Sequence, residues 1–238
     1  MHKNKVALIT GANKGLGFEI ARQLGRQGVT VVLGARDGAK AEEAAKKLKA
    51  EGVDAHAVKL DVINEADVAG LPTFFESKFG HLDILVNNAG VALDFGGVTR
   101  DTFRQTYETN VIAPYFITEA LLPLLKAGPA GRIVNHSSIM GSMTVMGDPN
   151  SFSPEMAVPA YCSSKAALNM LTVTTARKLE GSNVKVNSAH PGWVKTDMGS
   201  DRAPMEVVDG AKTAVALALL PDDGPTGGFF HMGENLPW

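Results

Sequence analysis

Short apolar runs alternate with stretches of helical periodicity along the chain. Val6–Ile9 is apolar at every position, which is typical of a strand buried on both faces of a parallel sheet. Comparable or weakly alternating runs predict further strands at 30–34, 54–60, 84–86, 131–135, 184–189 and 228–232. The chain is therefore expected to be rich in strands that follow one another at regular intervals.

The stretches between these runs predict helices. Apolar residues recur at helical spacing after the first strand, and again just beyond Asp37, a suitable N-cap. Further helical regions cover 64–79, 99–125, 158–179 and 204–219, with Pro72 and Pro114 interrupting the first two. Strands that alternate with helices predict an α/β fold, a doubly wound parallel sheet of about seven strands with helices on both faces.

No linker, repeat or charge block divides the sequence, so residues 1–238 are expected to form a single domain. The segment 139–159 is rich in Met, Ser, Pro and Gly. It is expected to be an irregular loop that covers the functional site.

Charge and composition exclude several classes of function. The formal charge is −2 and the pI is near 6.3, so electrostatics give no reason to expect nucleic acid or an anionic membrane as partner. The only cysteine, Cys162, excludes an intrachain disulfide and fits a reducing compartment. No apolar run approaches the ~18 residues of a spanning helix, and Val6–Ile9 is too short for a signal-peptide core. A soluble cytoplasmic protein is expected, and no metal, because the histidines lack ligand spacing.

The first predicted strand leads into a glycine-rich turn, Thr10-Gly11-Ala12-Asn13-Lys14-Gly15-Leu16-Gly17, and then into a helix. This order aims backbone N–H groups and a helix N-terminus at a phosphate, and glycines let the backbone approach the ligand. A plain tight turn is the alternative. The flanking strand and helix favour a dinucleotide site.

The end of the second predicted strand bears on the choice between NAD and NADP. An acidic residue there would accept a hydrogen bond from the ribose 2′-hydroxyl of NAD. The strand ends instead at Ala35, and Arg36 follows, whose guanidinium suits a 2′-phosphate. Lys14 can add a second positive charge. Asp37 is the rival, since its spacing also suits an NAD-type acid, but we interpret it as the helix N-cap, so the sequence favours NADP(H).

Tyr161 and Lys165 lie one turn apart on the same face of the predicted helix 158–179. A Tyr hydroxyl ordinarily has a pKa of about 10, and a nearby ammonium favours the phenolate. Such a pair can move a proton on and off an oxygen, which is half of reducing a carbonyl. The other half is a hydride, which requires a cofactor. Alone this spacing is a weak signal, because most such pairs join a half-buried Tyr to a solvated Lys.

Polar residues also follow several predicted strands. Asp61 can accept from an adenine amino group, the 87–90 segment Asn-Asn-Ala-Gly can touch a cofactor, and Ser138 can donate to a substrate carbonyl. Each is equally compatible with an ordinary turn. Asn110 lies four residues before Pro114, so its carbonyl lacks a helical N–H partner and is free for water or a side chain. The alternative is a tolerated surface Asn at a kink.

By these motifs, taken in order, the chain is identified as a member of the short-chain dehydrogenase/reductase family. The resemblance runs from about Val6 to Met232 and depends on Thr10-Gly11-x-x-x-Gly15-x-Gly17, Asn87-Asn88-Ala89-Gly90, Asn110, Ser138, Tyr161-x-x-x-Lys165 and Pro191-Gly192. It implies a Rossmann-type fold with four catalytic residues. Tyr161 would be the acid/base and Ser138 would hold the substrate oxygen. Lys165 would lower the Tyr161 pKa and contact the nicotinamide ribose, and Asn110 would hold a water in a proton relay. Ser138 fits the family pattern N-x-x-S, and Ser137 is the fallback.

The resemblance also implies a set of cofactor contacts. They are Gly11, Asn13, Lys14, Gly15, Leu16, Gly17, Arg36, Asp61, Val62, Asn88, Ala89, Gly90, Tyr161, Lys165, Pro191, Gly192, Val194 and Thr196.

Within the family the chain is similar to carbonyl reductases, a branch that uses NADPH. The matching segments are 13–14, 35–37, 137–140, 191–194 and 196–198. In this branch a long insert before the catalytic Tyr is associated with monomers. The insert between Ser138 and Tyr161 is longer than the family's usual spacing but shorter than that of animal carbonyl reductases, so monomer and homo-oligomer both stay open.

The sequence therefore predicts an NADPH-dependent carbonyl reductase that transfers a hydride to aldehydes or ketones to give alcohols. A small hydrophobic or aromatic carbonyl compound is expected, in a pocket built from Met140, Trp193, Met198, Phe95 and Trp238. Two alternatives stay open: an NAD-dependent secondary-alcohol dehydrogenase, and a non-catalytic NADP(H)-binding sensor. The presence of all the expected catalytic residues argues against the sensor.

Overall fold

The computed structural model describes residues 2–152 and 156–238. Within them one sheet of eight strands has the order β3-β2-β1-β4-β5-β6-β7-β8. The strands are β1 Val6–Thr10, β2 Thr30–Ala35, β3 Ala55–Lys59, β4 Ile84–Asn87, β5 Arg132–His136, β6 Lys185–Ala189, β7 Phe229–His231 and β8 Glu234–Asn235. The first seven pair in parallel, as predicted, and the unpredicted β8 pairs antiparallel to β7.

The helices pack around this sheet. They are α1 Gly15–Arg26, α2 Gly38–Ala50, α3 Glu65–Ala69, α4 Leu71–Lys78, α5 Arg100–Tyr107, α6 Ala113–Ala127, α7 Met143–Met146, α8 Pro159–Lys178, α9 Val207–Gly210 and α10 Lys212–Ala218. Among the described residues no helix is both long and apolar enough to cross a bilayer.

The sheet is covered on both faces, because alternate residues of a strand point to opposite sides. Ile9 of β1 belongs to a core cluster with Ile20 of α1 and residues of α2 and α10. Its neighbour Leu8 belongs to a second cluster with Phe75 of α4 and Leu121 of α6. The doubly wound α/β architecture predicted from the alternation of strands and helices is therefore confirmed.

A buried chain of polar side chains joins α8 to the middle of the sheet. Asn87 Nδ2 donates to Asn135 Oδ1 at 2.9 Å, and Asn135 Nδ2 donates to Thr172 Oγ1 at 2.8 Å. Thr172 Oγ1 lies 2.8 Å from Ser188 Oγ. Hydrogen bonds of this kind specify one arrangement of β4, β5, β6 and α8, because each group left unpaired in the core would be costly.

Two of the predicted helices are each divided into shorter helical segments. The region 64–79 divides at Gly70, and Pro72 lies in the first turn of α4, where its missing N–H costs no helical hydrogen bond. The region 99–125 contains a π-helical turn, Glu108–Ile112, before α6. Asn110 lies in that turn and is fully buried, so the alternative of a tolerated surface Asn at a kink is wrong.

Two further segments are more finely divided than predicted. The last helical region splits at Ala211 into α9 and α10. The segment 139–159, expected to be irregular, contains the 3₁₀ turn Ile139–Gly141 and α7, which is capped by the Ser142 hydroxyl. Positions 153–155 of that segment lie outside the described residues.

Candidate active site

A cleft of about 640 Å³ opens at the carboxyl ends of the parallel strands. Sixteen of the eighteen expected cofactor contacts line it: Gly11, Asn13, Lys14, Gly15, Leu16, Gly17, Arg36, Asp61, Val62, Asn88, Ala89, Gly90, Tyr161, Lys165, Pro191 and Thr196. Gly192 and Val194 do not. Gly192 lies against Met205, and the Val194 side chain is buried and pairs with Met205 across an isolated bridge.

Asn88 holds the glycine-rich turn in place. Its Nδ2 donates to the carbonyl oxygens of Thr10 at 2.9 Å and Gly11 at 3.2 Å, and its backbone N–H donates to Thr10 Oγ1. Gly11 has φ +62°, a left-handed conformation that glycine tolerates. A Cβ on Gly17 would lie 2.5 Å from Asn88 Nδ2. The close packing of the glycine-rich turn against the Asn88 side chain therefore requires glycine at position 17.

Arg36 lies at the cleft wall with an exposed side chain, and no carboxylate among the described residues pairs with it. The neighbouring Asp37 is the N-cap of α2: its Oδ1 accepts from the N–H groups of Ala39 at 3.0 Å and Lys40 at 3.3 Å. The interpretation of Asp37 as a cap is therefore confirmed, with Oδ1 as the capping oxygen.

Lys14 forms an ion pair with Asp197, which joins the glycine-rich turn to the loop that follows β6. The Lys14 ammonium holds the pKa of the Asp197 carboxyl below its usual range. Both side chains are exposed and both line the cleft. An anionic group bound here would compete with Asp197 for the lysine.

Tyr161 and Lys165 lie together in the cleft, one turn apart on α8. Lys165 Nζ donates to the carbonyl oxygen of His136 at 2.8 Å and lies 5.7 Å from the centroid of the Tyr161 ring. Burial lowers the pKa of Lys165 to about 8. A Cβ on Gly90 would lie 3.5 Å from Lys165 Nζ, so the absence of a side chain at Gly90 leaves the ammonium open to the cleft.

Burial raises the pKa of Tyr161 to about 12, and a hydrogen bond with the Ser138 side chain acts in the opposite direction. The expected lowering by Lys165 is not found. The loss of hydration around the buried phenol disfavours the phenolate and is the largest influence on this pKa. The phenol is therefore a protonated acid at neutral pH.

Ser138, as the sequence favours over Ser137, is the serine that reaches Tyr161. Its Oγ also accepts from the Met140 N–H at 3.2 Å, which fixes the hydroxyl at the start of a 3₁₀ turn. Ser137 lines the cleft, but its hydroxyl points to the Lys165 carbonyl at 3.5 Å.

The Asn110 side chain ties a loop of the cleft to α8. Its Oδ1 accepts from the Val91 N–H at 2.9 Å, and its Nδ2 donates to the Val91 carbonyl at 2.8 Å and to Ser164 Oγ at 3.0 Å. The side chain is fully buried and does not line the cleft. The role in a water relay stays a prediction about its backbone carbonyl.

A family model described as short chain dehydrogenase matches residues 5–207. The chain belongs to the short-chain dehydrogenase/reductase family. It is therefore an oxidoreductase by family, and the family resemblance of its motifs is confirmed.

Relatives of this short-chain dehydrogenase include reductases from animals and plants. It is 35% identical to carbonyl reductase (NADPH) 1 of Sus scrofa, over 98% of this chain and 94% of the relative. It is 34% identical to (−)-isopiperitenone reductase of Mentha piperita, over 98% of both chains. The crystal structure of NADPH-bound carbonyl reductase from chicken fatty liver superimposes with a TM-score of 0.86 at 27% identity, over 100% of each chain.

His136 is a cleft residue of this short-chain dehydrogenase that the sequence interpretation missed. The residue is part of the cleft wall, where its carbonyl oxygen accepts from Lys165. Both ring nitrogens are buried, and neither has a hydrogen-bond partner among the described residues. Burial, with Lys165 and His190 nearby, lowers the pKa of His136 to about 3, so the imidazole is neutral. The available signal was the position of His136 at the end of β5, directly before the candidate serines Ser137 and Ser138.

The predicted apolar pocket is assembled only in part. Met198 lines the cleft, Met140 is buried in a cluster with Tyr161, and the Phe95 ring lies 6.4 Å from that of Tyr161. Trp238 instead stacks on Phe229, with ring centroids 5.6 Å apart. The remaining residue, the largely exposed Trp193, donates from its indole to the Gly199 carbonyl at 2.6 Å.

Proposed function

We propose that this protein is an NADPH-dependent carbonyl reductase that converts aldehydes or ketones into alcohols, within one domain spanning residues 1–238. The observation that carries the proposal is the presence of Tyr161 and Lys165 in the same cleft as the glycine-rich turn and Arg36. Proton donor and dinucleotide cradle then face one space, which is large enough for a ligand of this kind. Bound NADPH would supply the hydride.

The side chains divide the remaining work. Ser138 donates a hydrogen bond to the substrate oxygen and stabilises the charge that develops there, a class of contact worth about 10²–10³ in rate. Tyr161 gives its proton to that oxygen. Lys165 places a positive charge beside the phenol and is open to a ribose hydroxyl. The Asn110 carbonyl, freed by Pro114, is the proposed acceptor for a relay water.

The proposed reduction uses Tyr161 in its protonated form. Burial raises the pKa of this phenol to about 12, so it carries its proton at neutral pH. Alcohol oxidation would require the phenolate, which burial disfavours. The preference for NAD or NADP, and not this pKa, distinguishes the secondary-alcohol dehydrogenase from the reductase.

The cofactor preference is proposed from two side chains. Arg36 offers a guanidinium at the end of β2 that pairs with no carboxylate of the described residues, and Lys14 offers an ammonium in the glycine-rich turn. Asp37, the residue that would favour NAD, is engaged as the N-cap of α2. The names of the relatives point the same way, since one is called a carbonyl reductase (NADPH) and a similar solved structure has NADPH bound.

The substrate is proposed to be a hydrophobic or aromatic carbonyl compound. In support, Met140 packs in a cluster with Tyr161, the Phe95 ring lies 6.4 Å from that of Tyr161, and Met198 lines the cleft. Methionine adapts to irregular apolar ligands. The single, half-buried Cys162 supports a reducing compartment such as the cytoplasm. The protein is expected to be either a monomer or a homo-oligomer.

A panel of aldehydes and aryl ketones, each offered with NADPH and with NADH, tests this function. The proposal predicts NADPH oxidation with hydrophobic ketones, a much slower reaction with NADH, and one enantiomer in excess on chiral analysis of the alcohol. Preference for NAD with secondary alcohols would favour the dehydrogenase alternative. Tight NADP(H) binding without turnover of any panel member would favour the sensor.

A further inference from the structure

The helix that carries Tyr161 begins without a cap of its own. The residue at the N-cap position of α8 is Val158, whose side chain has no hydrogen-bond acceptor, and Pro159 at the first helical position has no N–H. The N–H groups of Ala160 and Tyr161 are therefore the first donors of the helix that need a partner. In most helices a Ser, Thr, Asp or Asn at the N-cap supplies it.

Asp94, 66 residues away in the loop after β4, supplies the missing acceptor. Its Oδ2 accepts from the Ala160 N–H at 2.7 Å and from the Tyr161 N–H at 3.3 Å. The side chain is 3% exposed, and its Oδ1 has no partner among the described residues. A buried carboxylate is costly unless it is hydrogen-bonded, and the positive end of a helix is a place where it is stabilised.

The carbonyl group of Tyr161 is also linked to the loop that contains Asp94, through the side chains of Ser164 and Asn110. The Tyr161 carbonyl accepts from Ser164 Oγ at 2.7 Å, and Ser164 Oγ in turn accepts from Asn110 Nδ2. Asn110 bonds both backbone groups of Val91, three residues before Asp94. The loop 91–95 is thus joined to α8 at two points that bracket Tyr161.

We propose that Asp94 is a positioning residue of the reductase: by capping α8 across the fold, it fixes where the Tyr161 hydroxyl stands relative to the substrate carbonyl. This rests on the function proposed above. A displacement of about 1 Å at a reacting group can cost about 10² in rate, whereas the loss of a helix cap lowers the stability of the fold only modestly. Removal of the cap is therefore expected to lower kcat strongly while the protein still folds and loses little stability.

Three variants separate positioning from general stability. Asp94→Ala removes the acceptor, and Asp94→Asn keeps an acceptor oxygen of the same reach. Thr99→Ala is the matched control, since it removes the exposed cap of α5, where Thr99 Oγ1 accepts from the Thr102 N–H at 3.0 Å. Each variant is measured for melting temperature, NADP⁺ affinity, kcat and KM, and for hydrogen exchange of the Ala160 and Tyr161 amides by NMR.

In Asp94→Ala the amide hydrogens of Ala160 and Tyr161 are expected to exchange faster than in the wild type. We expect kcat to fall by about 10- to 100-fold, with NADP⁺ affinity and KM little changed. Asp94→Asn is expected to recover most of the amide protection and of kcat. Thr99→Ala is expected to lose similar stability with normal kcat. Should Asp94→Ala not fold, Asp94→Ser, whose shorter side chain cannot reach both amides, serves in its place and must lower kcat and protection together.

The proposal is overturned if the Asp94→Ala enzyme turns over like the wild type, or if Asp94→Asn is as slow as Asp94→Ala. It is also overturned if kcat falls equally in Thr99→Ala. The amide exchange needs no turnover, so a wild-type protein that reduces no carbonyl would refute the proposed function while the cap is still tested on its own.

Discussion

Replacement of Gly17 by Ala tests the construction of the dinucleotide cradle. A Cβ at this position would lie 2.5 Å from Asn88 Nδ2, 2.6 Å from the Gly11 carbonyl oxygen and 2.9 Å from Ala12 Cα. Two of these neighbours are backbone, and Asn88 is held by its bonds to the turn. None can rotate away, so the turn itself must move.

Two effects of Gly17→Ala oppose each other. Alanine favours a helix over glycine by about 1 kcal/mol, whereas overpacking a tight site typically costs about 1–3 kcal/mol. Because the contacts are far inside van der Waals distance, we expect the second effect to win. The net cost is then up to about 2 kcal/mol. Each 1.4 kcal/mol corresponds to roughly tenfold in affinity, so NADP⁺ binding is expected to weaken by up to about 30-fold as the turn moves.

Calorimetric titration with NADP⁺ and thermal unfolding measure both consequences. Gly70→Ala is the matched control, because Gly70 has a helical conformation and the nearest atoms to its Cβ are carbonyl oxygens at 3.5 and 3.6 Å. That variant is expected to melt at or above the wild-type temperature and to bind NADP⁺ normally. If Gly17→Ala behaves like Gly70→Ala, the account of the turn is refuted.

Three other predictions concern charge in the cleft. Arg36→Asp should weaken NADP⁺ about 10- to 100-fold, since a hydrogen bond to a charged group contributes about 1.5–3 kcal/mol; an unchanged ratio of NADP⁺ to NAD⁺ affinity would contradict it. Asp197→Asn, which frees Lys14, should tighten NADP⁺ binding by a few-fold at most and leave NAD⁺ binding unchanged, because an exposed ion pair is weak; equal effects on both affinities would contradict a competition between Asp197 and the 2′-phosphate. His136 has a pKa of about 3 when folded against 6.5 ordinarily, so the unfolded chain binds more protons between these values and the free energy of unfolding falls as pH drops through that window. In urea titrations His136→Leu should reduce the dependence of the free energy of unfolding on pH in this window. The dependence should not vanish, because His190, whose pKa is also about 3, contributes in the same direction. An unaltered dependence would exclude His136 as its source.

Local chemistry was enough to predict much of the fold and the cleft. The apolar run of β1, the glycines after it and the helical stripe of α1 are consecutive in the chain, so their order alone predicts a phosphate-facing turn. The four-residue spacing of Tyr161 and Lys165 likewise predicts a shared face.

Features that depend on distant contacts were not predictable in the same way. Asp94 caps a helix 66 residues further on, and nothing in its own neighbourhood indicates that partner. The burial of Asn110 follows from the contact of its π-helical turn with α8, and the raised pKa of Tyr161 follows from burial that a sequence pattern does not express. The strand β8 has two exposed residues and no hydrophobic signal.

The central claim is that Tyr161 supplies the proton when a carbonyl is reduced in this cleft. Its most direct test is single-turnover reduction of an aryl ketone by NADPH in the wild type and in Tyr161→Phe, with NADP(H) affinity measured on both. Loss of general acid catalysis is expected to slow reduction by about 10²–10⁴ while the cofactor binds as tightly as before. Reduction by Tyr161→Phe at the wild-type rate would contradict the claim.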